Sequence, residues 1–114
     1  SDDGSIIVVV ATDAPLLPHQ CRRLAQRATI GLARVGGVGA DSSGDIFLAF
    51  APGNRGLPAG DAGSPNAPVP LRMVPNQHLT PLFEACADAV EEAILNALCM
   101  AETTTGINGR VVHA

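Results

Sequence analysis

The chain has 114 residues and a mass of 11.6 kDa, of which 46% are hydrophobic and 3% aromatic, enough for one core but short for a catalytic domain with its own pocket. A net charge of -4 and a pI near 5.1 argue against a nucleic-acid partner. All seven Lys-plus-Arg positions are Arg, which removes Schiff-base chemistry and the phosphate-binding Lys of a P-loop.

Residues 5–12, Ser5-Ile-Ile-Val-Val-Val-Ala-Thr12, form a β-branched run without alternation, the pattern of a central strand covered on both faces. Asp13, Pro15 and Pro18 break it, and Pro18 suits the first turn of a helix. Cys21, Leu24, Ala25, Ala28, Leu32 and Val35 then recur at helical spacing until Gly36-Gly37. A small-residue loop, Gly37 to Asp45, leads to a second apolar strand from Ile46 to Ala51. Residues 52–68 are a Pro/Gly-rich loop, and Val69 to Val74 is an expected edge strand because Pro70 bars it from a sheet interior. Thr80 reads as an N-cap with Pro81 at the first helical position. The helix that follows, 82–101, has Leu82, Phe83, Cys86, Val90, Ile94, Ala97 and Leu98 on its apolar face. Thr103 to Thr105 and Arg110 to His113 flank an Asn-Gly turn signal, which predicts a closing hairpin. Layered sheet covered by helices is the simplest architecture, with no internal repeat and no second domain.

Several common chemistries are poorly served. Gly37-Val-Gly-Ala-Asp-Ser lacks the third glycine of a dinucleotide fingerprint and follows a helix. Asp41, Ser43 and Asp45 alternate like a calcium loop, but Ile46 stands where its glycine belongs. His19, His78 and His113 are far apart and read as surface or capping groups, so no metal site is expected. Cys21, Cys86 and Cys99 have no metal-type spacing and read as small buried hydrophobes in a reducing, cytoplasmic compartment. Ile6 to Ala11 is too short to cross a membrane, and the absence of a basic region before it argues against a signal peptide.

With no Gly-x-Ser-x-Gly elbow, a serine nucleophile here needs another base. A serine exposed at the N-terminus by chain cleavage has one in its own α-amino group, whose pKa of about 8 lies near working pH. Gly4-Ser5, followed at once by the strand, has that layout, although an ordinary serine entering a strand has it too.

The stretch Ser5-Ile-Ile-Val-Val-Val-Ala-Thr-Asp-Ala-Pro-Leu16 resembles the start of the β chain in the DmpA-type family. That family contains L-aminopeptidase/D-amidase-esterases and β-peptidyl aminopeptidases, with nylon-oligomer hydrolases as relatives. Arg22 to Arg27, Gly31 to Arg34, Ser43 to Phe50 and Thr104 to Gly106 carry the resemblance onward, in order, over nearly the whole chain except 52–68. It implies an α+β fold, half of an αββα four-layer sandwich that a separate α chain completes. It also implies a precursor that cuts itself between Gly4 and Ser5, leaving Ser5 as nucleophile, with residues 1–114 as a single catalytic β subunit and 1–4 as junction or tail.

A Ser-Gly-acid motif assists the nucleophile in this family, and Ser43-Gly44-Asp45 stands at its place counted from Ser5. Ser43 then completes a hydrogen-bond relay and Asp45 positions or charge-stabilises the amine; the acid is Asp here, whereas the family's peptidases carry Glu, which bears on the reach of the carboxylate. A cut before Ser1 would instead give the amine to Ser1, but the strand entry and the spacing to Ser43 favour Ser5. The implied function is aminopeptidase-type hydrolysis of N-terminal amide or ester bonds in small peptides through an acyl-enzyme. No cofactor is required, and αβ heterodimers assemble into a larger oligomer away from nucleic acid and membrane. Two alternatives stand beside it: an acyltransferase of the related ornithine-acetyltransferase fold, disfavoured by Ser in place of Thr, and a non-catalytic, oligomer-forming subunit.

Overall fold

The computed structural model describes residues 4–36, 44–58, 67–105 and 111–112. Two strands, β1 (Ile7–Ala11) and β2 (Ile46–Phe50), pair in parallel with Ile7 opposite Ile46 and Ala11 opposite Phe50. One further bond at each end, Ile46 N–H to Ile6 C=O at 3.0 Å and Thr12 N–H to Phe50 C=O at 3.2 Å, extends the ladder. Side chains alternate across a pleat, so Val8, Val10, Phe47 and Ala49 turn toward the core, whose buried members include Leu16, Leu24, Ala28, Leu79, Cys86 and Val90. The opposite face, Ile7, Val9, Ala11, Ile46, Leu48 and Phe50, is exposed. The cover on both faces that the unbroken run predicts is therefore met on one face only within the described residues.

The expected single helix over 18–35 is two, α1 (Pro18–Gln26) and α2 (Ala28–Arg34). At Arg27 the backbone tightens to three-residue bonds, Arg27 N–H to Leu24 C=O at 3.0 Å and Ile30 N–H to Arg27 C=O at 3.1 Å. The turn lets α1 pack on the sheet while α2 packs on the long helix α3 (Thr80–Met100). Gly31 permits that contact, since a Cβ there would stand 2.6 Å from Ala87 C=O and 2.7 Å from Val90 Cβ. Gly36, at φ 100°, ends α2 as expected. Arg34 bonds Asp88 at 2.6 Å, and the Arg27 guanidinium lies 4.3 Å from the Phe83 ring centroid, tying the same helices at their rims.

Thr80 is not an N-cap. A 3₁₀ turn, Asn76–His78, runs into Leu79, whose carbonyl takes the Phe83 N–H at 2.9 Å, so the helix starts earlier and Thr80 lies inside it. Nor do residues 69–74 form a strand. Arg72 is instead bracketed by the Asn54 amide, donating to Oδ1 at 2.7 Å and accepting from Nδ2 at 2.9 Å, while Val74 N–H reaches Pro15 C=O at 2.8 Å. An amide side chain thus stands in for a strand neighbour, as suits a segment where Pro70 and Pro75 have no N–H to give. The closing hairpin is present as β3 (Thr104–Thr105) paired antiparallel with β4 (Val111–Val112); its turn lies outside the described residues. Cys86 is buried and Cys21 half-buried, and burial pushes both thiols up in pKa; Cys99 is exposed, because the C-terminal end of α3 runs past the core. His19 and His78 are exposed as expected, and His113 lies outside the described residues.

Candidate active site

Parallel pairing puts the entrances of β1 and β2 at the same end of the sheet, which brings together two segments 39 residues apart. Ser5 enters β1 and Gly44-Asp45 enter β2. The Gly44 N–H donates to Ser5 Oγ at 2.9 Å, and the Ile6 N–H donates to Asp45 Oδ1 at 3.0 Å. With the Ile46 N–H on the Ile6 carbonyl at 3.0 Å, both backbone groups of Ile6 are held by consecutive residues of the facing segment. The residue after the serine is thereby fixed more firmly than a strand end normally is, since strand ends fray for want of partners.

Ser5 is exposed, as is Gly4, around which a Cβ would meet nothing within 4 Å. Among the described residues the Gly4–Ser5 bond therefore lies open. Asp45 is half-buried, and its bond to Ile6 places a carboxylate beside the serine's own backbone. A hydroxyl with one lone pair occupied by an amide donor still has a second lone pair and a proton to give. Such an oxygen keeps what an attack on a carbonyl would need.

Of the residues predicted for the site, Gly4, Ser5 and Asp45 come together at one sheet end, and Ser43 lies outside the described residues. The Gly44 amide is the contact that reasoning from side chains misses, because a glycine shows no functional group in a sequence; its only signal is its place between Ser43 and Asp45. Among the described residues no three His, Cys, Asp or Glu side chains gather as a metal site, and no helix is long and apolar enough to cross a membrane.

Comparison with known proteins places this geometry in context. The profile of peptidase family S58 matches residues 1–112. The β-peptidyl aminopeptidase BapA of Sphingosinicella microcystinivorans is 48% identical over 111 residues, 97% of this chain and 27% of that protein. Its namesake from Sphingosinicella xenopeptidilytica is 38% identical over 98% of this chain and 27% of its own length. Among solved structures, a Burkholderia sp. β-aminopeptidase superposes with a TM-score of 0.79 at 60% identity, over 93% of this chain and 30% of that one. The L-aminopeptidase D-Ala-esterase/amidase of Ochrobactrum anthropi, a prototype serine aminopeptidase with a variant of the Ntn hydrolase fold, gives 0.80 at 41% identity, over 94% and 30%. The chain thus spans less than a third of the length of each of these relatives.

Proposed function

Since the chain belongs to peptidase family S58, we propose that it is the nucleophile-bearing β subunit of a self-processing aminopeptidase. Ser5 Oγ attacks the Gly4 carbonyl carbon; the new C–O bond replaces the Gly4–Ser5 C–N bond, and the proton leaving the hydroxyl goes to the departing nitrogen of Ser5. Water then hydrolyses the ester, releasing the Gly4 carboxyl group and restoring the Ser5 hydroxyl beside its now free amine. In the second reaction the same oxygen attacks the first amide or ester carbonyl of a small peptide, and the amine takes its proton and returns it to the leaving group. Ser43 extends the hydrogen-bond relay and Asp45 holds the amine side of the site. No cofactor takes part in these steps.

The observation that carries this reading is the 2.9 Å bond between Gly44 N–H and Ser5 Oγ at the open Gly4–Ser5 peptide. It joins the expected nucleophile to the expected assisting motif, which only folding brings together. The names of the relatives support the substrate class, and the share of their length the chain spans supports an α chain from the same precursor. The sheet face left bare among the described residues, with a groove of about 480 Å³ between β1 and α3, suits that chain as cover and supports half of an αββα sandwich. Further assembly of αβ heterodimers into a symmetric oligomer fits the same picture.

Ser5→Ala in the full precursor tests it. The expected result is one uncut polypeptide by intact mass and no release of chromophore from an aminoacyl p-nitroanilide. A processed, active variant would falsify the assignment of Ser5. For the wild-type complex, acyl transfer to ornithine in place of hydrolysis would favour the acyltransferase alternative, and inertness the non-catalytic one.

A further inference from the structure

We propose that the Gly44 backbone amide is itself a catalytic group, stabilising negative charge on Ser5 Oγ whenever that oxygen enters or leaves a tetrahedral intermediate, and that Asp45 is a positioning residue that sets the amide's place. The inference rests on Ser5 being the nucleophile. The oxygen concerned is the nucleophile's own, not the carbonyl oxygen of the substrate. It bears developing charge twice in each acyl cycle: as its proton leaves during attack, and as it departs from the acyl carbon when water displaces it. An N–H aimed at it at 2.9 Å in the resting chain is already in place at both moments.

Three features of the site fit this role better than an incidental strand contact. The donor is pinned: Gly44 is bonded to Asp45, whose Oδ1 holds the Ile6 N–H at 3.0 Å, and Ile6 is bonded to Ser5. Position 44 cannot drift from position 5 without breaking that bond or the neighbouring Ile46 N–H to Ile6 C=O bond. The glycine is favoured by crowding and not by conformation. Gly44 has no positive φ, yet a Cβ would stand 3.2 Å from Ser5 Oγ and 3.8 Å from Ser5 Cβ. Any side chain would press on the oxygen that must approach a carbonyl. Finally, the bond uses one lone pair and leaves the second lone pair and the hydroxyl proton for the reaction, so it fixes the rotamer without blocking attack.

Asp45 acts through geometry in this arrangement. The Ile6 amide that it holds needs an acceptor oxygen but not a charge. An asparagine carries the same oxygen on the same arm.

The test uses the full precursor with glycolic acid incorporated at position 44, which exchanges only the amide N–H for an ester oxygen. Loss of one oxyanion-hole donor costs about 10²–10³ in kcat, and a donor to the nucleophile's own oxygen faces less charge, so processing rate and kcat should fall by at least about tenfold while KM stays within about twofold. Gly44→Ala, which keeps the N–H but crowds Oγ, should also lower kcat. Asp45→Asn should lose less kcat than Asp45→Ala and keep its pH profile in place, whereas Asp45→Ala should lose kcat as the glycolate variant does. Wild-type processing and kcat in the glycolate variant would overturn the role of the amide. Equal losses in Asp45→Asn and Asp45→Ala, with the acid limb of the profile displaced, would overturn the positioning role. Should the glycolate variant not assemble, Gly44→Ala serves by pushing Oγ away from the amide, and an unchanged kcat there would count against the contact. Failure of the underlying reading looks different: there Ser5→Ala would remain processed and active.

Discussion

Gln20 sits in the core with no exposed surface, and both polar atoms of its side chain have tasks there. Its Oε1 takes the Leu17 N–H at 3.0 Å, and its Nε2 donates to Val74 C=O at 2.7 Å and Asn76 Oδ1 at 3.0 Å. One side chain thus caps α1 and ties it to the segment that launches α3. Gln20→Leu fills a similar volume but strands the Val74 carbonyl and the Leu17 N–H, and a stranded buried polar group costs about 1–3 kcal/mol. Denaturant unfolding of the processed complex should report a loss of that size, and an unchanged midpoint would show that water replaces the amide readily. Nothing in the sequence marks Gln20 for this work. A Gln at the third helical position signals a capping box only behind Ser or Thr, and here Leu17 precedes the helix. Asn54 is hidden in the same way, in a loop whose composition reads as filler. Ser5, Ser43 and Asp45 stand out in the sequence because the resemblance, not their chemistry alone, singles them out; the Gly44 amide does not, since every residue but proline has one.

At the level of elements, the apolar runs at Ile7–Ala11 and Ile46–Phe50 and the helical spacing along α3 are visible in the sequence, although burial answers that spacing only as far as Ile94, and Ala97 and Leu98 of the expected apolar face are exposed. The break at Arg27 is not. Cys21 to Val35 keeps one helical phase across it, and what bends the chain is the demand that α2 lie on α3 while α1 lies on the sheet. Gly31 marks the point where that demand is sharpest. In an exposed helix Gly→Ala is favourable by about 1 kcal/mol. Here the added methyl would meet the Ala87 carbonyl at 2.6 Å and Val90 Cβ at 2.7 Å, backbone and branched side chain that cannot swing away. Overpacking of this kind costs about 1–3 kcal/mol, so the propensity gain is outweighed. Gly31→Ala should lower the unfolding midpoint of the complex without changing KM, the site being built on the strands. A variant as stable as wild type would mean that α2 and α3 separate at little cost.

For the molecule as a whole, the sheet face that this chain leaves bare dominates its behaviour. Ile7 is 70% exposed, Val9 58%, Ile46 56%, Leu48 55% and Phe50 49%, and the register sets them side by side. Parallel sheets occur covered on both faces, and two strands alone are marginal at best in water. Burying one such side chain completely is worth about 1.5–3 kcal/mol, and each of these five forgoes about half of that. The sum is comparable with the roughly 5–15 kcal/mol that holds a small domain together. Both edges of the sheet also lack a partner strand among the described residues, which leaves ladder groups open to any chain that arrives. Expressed without the rest of its precursor, the 114-residue chain should therefore aggregate, or give the broad signals of a loosely packed state. Made as the precursor, it should remain bound to the α chain after cleavage. Gel filtration with amide exchange on the isolated chain decides the matter. A monodisperse monomer with a well-protected β1 would sink the two-chain reading and the shared active site with it, because a sheet stable in that form would need no second layer.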